Sequence, residues 1–154
     1  MDAAQGWLGL GNWQEANEEL ERITASLRAH PDVLALRLQV YEAAKKWEMA
    51  AEIAQAICKL APVNAVGFIR LAHALHEMKR TREALSVLLP VADKFPDEHI
   101  IRYNLACYCC QLGDCKGAWQ WLEKAIDLAG TKEVKLMALD DPNLEPLWSE
   151  ISEI

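Results

Sequence analysis

Four alanines, Ala16, Ala50, Ala84 and Ala118, stand each 34 residues after the last, and the short words around them, GNWQEA, KKWEMA, KRTREA and GDCKGA, repeat with them. A chain with such an interval is an array of one repeated unit. A period of this length carrying helical hydrophobicity restricts the fold to helix pairs that bury their apolar faces against neighbouring copies.

Other columns keep the same register. Trp7, Tyr41, Leu75 and Cys109 form an apolar column; Ala4, Leu38, Ala72 and Ala106 form one that is mostly small. Leu20, Ala54, Leu88 and Leu122 form a third, and Ile23, Ile57, Val91 and Ala125 a fourth. Small residues let paired helices approach closely, and larger ones fill the gap between them. Gly11, Lys45, Lys79 and Gly113 mark the turn inside each unit, a place suited to a left-handed helix cap. Pro62 and Pro96 mark the turn between units, with Pro31 three residues late. The periodicity predicts first helices over 2–10, 32–45, 65–79 and 98–112, and second helices over 14–29, 47–60, 81–94 and 115–129.

This pattern resembles the tetratricopeptide repeat family. The resemblance rests on the period, the small residue within each first helix, the G-x-[aromatic]-x-x-A turn from Gly11 to Ala16, and the closing proline. The stretch Tyr103 to Leu128 is the nearest single match, and the likeness covers roughly residues 2 to 130. Thr81 and Cys115 depart from the aromatic seen at Trp13 and Trp47, and Gly130 replaces the last proline. The resemblance implies an all-α fold, a right-handed α-solenoid of stacked antiparallel helix pairs. Residues 1–130 are expected to hold about four units, the first one short at its front, and 131–154 a capping helix segment. In that tail Leu144, Leu147, Trp148 and Ile151 form one helical stripe, suited to covering the last unit near Trp119 or Trp121. Docking of the tail on a partner is the alternative.

Composition narrows the function. No apolar run approaches the ~20 residues that span a bilayer, no basic-then-apolar leader precedes the first repeat, and the five cysteines do not form a disulfide framework. A cytoplasmic protein is expected, without membrane association. No G-x-G-x-x-G, P-loop, H-E-x-x-H or G-x-S-x-G motif is present, and adjacent His76 and Glu77 diverge on a helix, so neither an enzyme nor a cofactor is expected. Lys45, Lys46, Lys79, Arg80, Arg82 and Lys116 gather along the turns, but against a formal net charge of -7 they read as a solvated rim and not a nucleic-acid site.

In the family this chain resembles, the first helix of each unit lines a concave groove that binds protein segments. Carried over by register, that face holds Asp32, Ala35, Gln39, Glu42 and Ala43 in the second unit, Val66, Ile69, His73, His76 and Glu77 in the third, and Ile100, Tyr103, Cys107, Cys110 and Gln111 in the fourth. It contains acids and no Lys or Arg, so the expected partner is a protein or peptide with apolar and basic residues, anchored at Val66, Ile69, Ile100 and an exposed Tyr103. The lysines with which some family members clamp chaperone C-termini are missing: Ala35, Ile69 and Tyr103 occupy one of those registers, Asp32, Val66 and Ile100 another, and only Arg70 and Asn104 match in type. Two further readings compete. His73, His76, Cys107 and Cys110 are two i, i+3 pairs in equivalent columns and could supply a tetrahedral zinc site. The chain could also be a regulatory segment of a larger enzyme or assembly. Cys58 and Cys109 read as small core residues, and the apolar front end at Trp7, Leu8, Leu10 and Trp13 as a surface for self-association or for a preceding repeat.

Overall fold

The computed structural model describes residues 1–154 and contains ten α-helices and no strand. They fall into two compact units, Met1–Met78 and Lys79–Ile154.

The first unit runs α1 (Asp2–Gly9), α2 (Trp13–Glu21), a 3-10 turn (Ala25–Leu27), α3 (Pro31–Ala43), α4 (Trp47–Leu60) and α5 (Ala65–Glu77). Each helix packs on the next in sequence. Starts are set by side chains that satisfy otherwise orphaned N–H groups: Asn12 accepts from the Glu15 amide at 3.2 Å, and Asn64 from the Val66 amide at 2.9 Å. His30 caps α3 ahead of Pro31, whose fixed φ suits the first helical position. Ala4, Ala16, Leu20, Leu36, Val40, Tyr41, Ala50 and Ala54 form the core, with Leu8, Trp13, Trp47 and Ile57 packed around it. Gly67 lets α5 meet α4, because a Cβ there would stand 2.9 Å from the Cys58 backbone nitrogen.

The second unit runs α6 (Thr81–Ala92), α7 (His99–Gln111), α8 (Cys115–Ala129), α9 (Thr131–Leu139), a 3-10 segment (Pro142–Leu147) and α10 (Trp148–Ser152). Its fully enclosed side chains include Leu88, Ile101, Leu105, Tyr108, Leu122, Leu144 and Ile151. Arg102 is buried as well, and its guanidinium donates to the carbonyls of Ala92 at 2.7 Å, Glu98 at 3.1 Å and Phe95. Those bonds close the C-terminal end of α6.

Two expectations need correction. Helix α2 stops at Glu21, not near residue 29, because Thr24 turns extended and Arg28 takes the carbonyls of Glu21 at 2.8 Å and Ile23 at 3.1 Å. The tail holds two helices and a 3-10 segment where the apolar stripe predicted one helix; Gly130, with φ +91°, ends α8 and begins α9. The turn register stands as read: Gly11, Lys45, Lys79 and Gly113 all have positive φ, between 54° and 85°. All four repeat alanines are completely buried.

Candidate functional site

In the first unit, α3, the carboxyl-terminal half of α4 and the amino-terminal half of α5 line a cleft of about 240 Å³. Asp32, Ala35, Gln39 and Glu42 supply one wall from a single face of α3, at the spacing of successive helical turns. Ile57, Leu60 and Ala61 supply an apolar wall, and Asn64, Val66 and Arg70 the third. Val66 is 49% exposed and Leu60 57% exposed, so both offer apolar surface to anything that enters.

Glu42 carries the polarity of this cleft. Its Oε2 lies 3.4 Å from Arg70 Nη1, whereas Oε1 is buried and accepts no hydrogen bond. A buried acceptor without a donor costs about 1–3 kcal/mol. Arg70 changes one expectation about the wall: a cation lines the cleft alongside Asp32 and Glu42.

Farther along α5, the two histidines of the expected groove differ. His73 stands edge-on to Trp47 with ring centroids 5.4 Å apart, and its Nε2 lies 3.9 Å from Glu77 Oε1, one helical turn on. It is therefore His73, and not the adjacent His76, that faces Glu77. His76 is buried, and Ile69 and Glu77 are partly exposed.

In the second unit the expected groove face of α7 is covered by the chain itself. Tyr103 is only 6% exposed, and its hydroxyl donates to Asp141 Oδ2 at 3.0 Å. The Cys107 thiol donates to the same oxygen at 3.4 Å, and the Gln111 amide to the Asn143 carbonyl at 3.0 Å. Asp141 Oδ1 accepts from the Asn143 amide at 2.9 Å and so starts the 3-10 segment. Burial, with the Cys107 thiol and the Asp141 carboxylate beside it, pushes the Tyr103 phenol far above its ordinary value. Cys107 is raised likewise by burial and by Asp141. The expectation of an exposed Tyr103 anchor is thus overturned: the tail, folded on itself by a Trp148 indole bond to the Ala138 carbonyl at 2.8 Å, occupies that wall. Ile100 stays partly exposed at the start of α7.

The zinc reading finds no support. Cys107 faces Asp141, Cys110 faces Cys115 and His73 faces Trp47 and Glu77. Nowhere do three or more His, Cys, Asp or Glu side chains come together as metal ligands. Sequence reasoning also missed three polar devices: Arg102 on its carbonyls, Asp141 on α7, and Arg37, which reaches Glu21 at 2.6 Å and holds that carboxyl below its usual range. Asp141 had a signal, because Asp before Pro with Asn two residues on favours a side-chain-capped turn. Along the rim, Arg80 forms a two-pronged pair with Glu83 at 2.7 Å, and Lys46 lies 4.7 Å from the Trp13 ring centre. No helix is long and apolar enough to cross a membrane.

Comparison with known proteins places this geometry. No curated protein matches the chain by sequence. Among solved structures, MamA from MSR-1 superposes with a TM-score of 0.70 at 23% identity, over 81% of this chain and 72% of that one. A MamA RS-1 double mutant gives 0.73 at 18% identity, over 84% of this chain and 73% of that one. TTC0263, a thermophilic TPR protein of Thermus thermophilus, gives 0.72 at 18% identity, over 96% of this chain and 79% of that one. At these identities the likeness is one of fold. The tetratricopeptide repeat profile matches residues 1–65 and again 69–132, which is most of the sequence. With an all-α fold of successive helix pairs and the repeat register intact, the chain belongs to the tetratricopeptide repeat family.

Proposed function

We propose that the chain is a non-catalytic scaffold that holds a protein segment in the cleft between α3, α4 and α5. Tetratricopeptide repeat proteins are in general interaction scaffolds of this kind. The observation that carries the reading is the cleft itself, in which the apolar surface of Ile57, Leu60 and Val66 stands beside the Glu42–Arg70 pair. A peptide entering there places apolar side chains against Leu60 and Val66 and polar groups beside the Glu42–Arg70 pair. Asp32 favours a basic residue at the open end, while Arg70 limits positive charge next to Glu42. Within this reading the ligand face comprises Asp32, Gln39, Glu42 and Val66. Ile69, His73 and Glu77 extend it along α5. Residues 131–154 serve as the cap of the repeat array. A cytoplasmic setting fits five cysteines that are all unbridged.

Selection from a displayed library of random peptides, followed by affinity measurement on the purified chain, tests the proposal. Ala35 is exposed and lines the cleft, so Ala35→Trp fills the space without touching the core. Selected peptides are expected to combine apolar and basic residues and to lose at least about tenfold in affinity, or ~1.4 kcal/mol, in Ala35→Trp and in Glu42→Ala. Peptides that bind both variants as tightly as the parent would place the working surface elsewhere.

A further inference from the structure

Five cysteines are present and none is bridged, yet they are not equivalent. Cys107 is committed to Asp141, Cys58 lies half-buried in the first unit, and Cys109 is buried beside Asp114. The remaining two meet across the turn between α7 and α8. Gly113 takes a positive φ and its amide bonds to the Cys110 carbonyl at 3.0 Å, while the Asp114 amide bonds to the Cys109 carbonyl at 2.9 Å. That double closure folds the start of α8 back onto the last turn of α7. Cys110 on the last turn of α7 and Cys115 at the start of α8 are thereby brought next to each other across the turn.

Their surroundings differ in the way a reacting and a resolving thiol require. Cys115 is exposed and lines a surface hollow of about 470 Å³ with Lys116, Trp119, Gln120 and Leu147. Small oxidants reach it from solvent. Cys110 is 4% exposed and lies behind it.

We propose that Cys115 and Cys110 form an oxidation-sensitive dithiol, in which Cys115 reacts with a peroxide and Cys110 closes a disulfide between α7 and α8. The Cys115 sulfur attacks one peroxide oxygen, the O–O bond breaks, and the departing oxygen leaves as water with the thiol proton. Cys115 then carries a sulfenic acid. The Cys110 sulfur attacks it, the S–O bond breaks, and a second water leaves with the Cys110 proton. Each sulfur gives up one electron, and the peroxide takes up both. Burial, and then the neighbouring Cys115, push the Cys110 thiol up to about 11, so it stays protonated and unreactive toward oxidant at neutral pH. Its attack on the sulfenic acid is slowed by the same protonation, a loss offset by the proximity of the two sulfurs. A thiol reductant reverses the step by exchange at the exposed Cys115 sulfur.

The test is exposure of the purified full chain to stoichiometric hydrogen peroxide, followed by intact-mass measurement without reductant. Free thiols are then blocked and the chain cleaved before Asp114, which separates Cys110 from Cys115. The expected result is a monomer lighter by about 2 Da, with the peptides on either side of Asp114 joined until dithiothreitol is added. Cys115→Ser and Cys110→Ser each abolish the link, whereas Cys107→Ser and Cys109→Ser keep it. In Cys110→Ser the stranded sulfenic acid at Cys115 is captured by dimedone. The parent chain alone decides the matter if a variant fails to fold: oxygen uptake without linkage, or a link that leaves Cys115 free, overturns the proposal.

Discussion

Asp141 shows how one side chain decides which surfaces of a repeat array stay open. Its two carboxylate oxygens accept from the Tyr103 hydroxyl, the Cys107 thiol and the Asn143 amide, and these bonds fasten the 3-10 segment to α7. Asp141→Ala removes all three bonds and leaves two buried donors on α7 unsatisfied. Hydrogen bonds to a charged group are worth about 1.5–3 kcal/mol each, and here two of them share one oxygen, so a loss of about 2–4 kcal/mol in urea unfolding is expected. A change smaller than about 1 kcal/mol would mean the tail is held by Leu144, Leu147 and Ile151 alone. The same site sets an alkaline limit. Tyr103 and Cys107 hold their protons more tightly in the folded chain than the ordinary values of 10.0 and 9.0, chiefly through burial. The stability they lend is complete below pH ~9 and is lost as pH rises above it, because the unfolded chain then releases protons that the folded chain keeps. Thermal midpoints should fall steeply between about pH 9 and 11, and Tyr103→Phe should flatten that fall because its ring has no proton to release.

At the scale of the helix, the start of α8 couples two residues that the repeat register treats as unrelated. Asp114 accepts from the Gly117 amide at 2.9 Å, and a Cβ on Gly117 would stand only 2.2 Å from Asp114 Oδ2. The cap and a side chain at position 117 therefore exclude each other. Gly117→Ala gains about 1 kcal/mol of helix propensity and forfeits a cap worth about 1 kcal/mol, for a net change near zero. In an Asp114→Ala background the cap is already gone, and the same substitution should stabilise by about 1 kcal/mol. Urea unfolding of the four proteins measures that coupling, and equal effects in both backgrounds would contradict it. Helix positions were legible in the sequence for a related reason: caps and turns at Asn12, Asn64, Gly113 and Asp114 act through neighbours three residues away or fewer. Lys45 and Lys79 were legible as turns only because the register aligned them with glycines, since lysine carries no signal for the left-handed backbone it adopts there. The coverage of α7 was not legible. It joins Tyr103 to Asp141 and Gln111 to Asn143, pairs more than thirty residues apart that no local periodicity links. The α3 wall of the cleft followed directly from register, but the isolation of Glu42 Oε1 depends on how Arg70 is aimed from another helix.

At the scale of the whole molecule, each helix pair buries its apolar face against a neighbour, so the ends of an array are where apolar surface stays in water. Residues 131–154 place Leu144, Leu147 and Ile151 in the interior of the second unit. In the first unit apolar side chains on and around α1 stay exposed: Trp7 is 38% exposed, Leu10 78%, Leu27 53% and Met1 47%. Met1 and Leu27 also line a hollow with Ile23 and Val33. Apolar surface of this kind favours contact with a like surface on a second copy. A formal net charge of -7 on each copy opposes that contact over a Debye length of about 10 Å at 0.1 M salt, and higher salt removes the opposition. The chain is therefore expected to self-associate reversibly, more strongly at about 0.5 M than at about 0.05 M salt, which is opposite to the behaviour of an interface made of ion pairs. Sedimentation velocity over a concentration series at both salt levels measures this, with Leu10→Glu as the control because a charge on that exposed side chain disturbs no core contact. Association that weakens with salt, or that persists unchanged in Leu10→Glu, would assign the contact to another surface, and a single monomer under all conditions would show that the exposed face of α1 is tolerated in water.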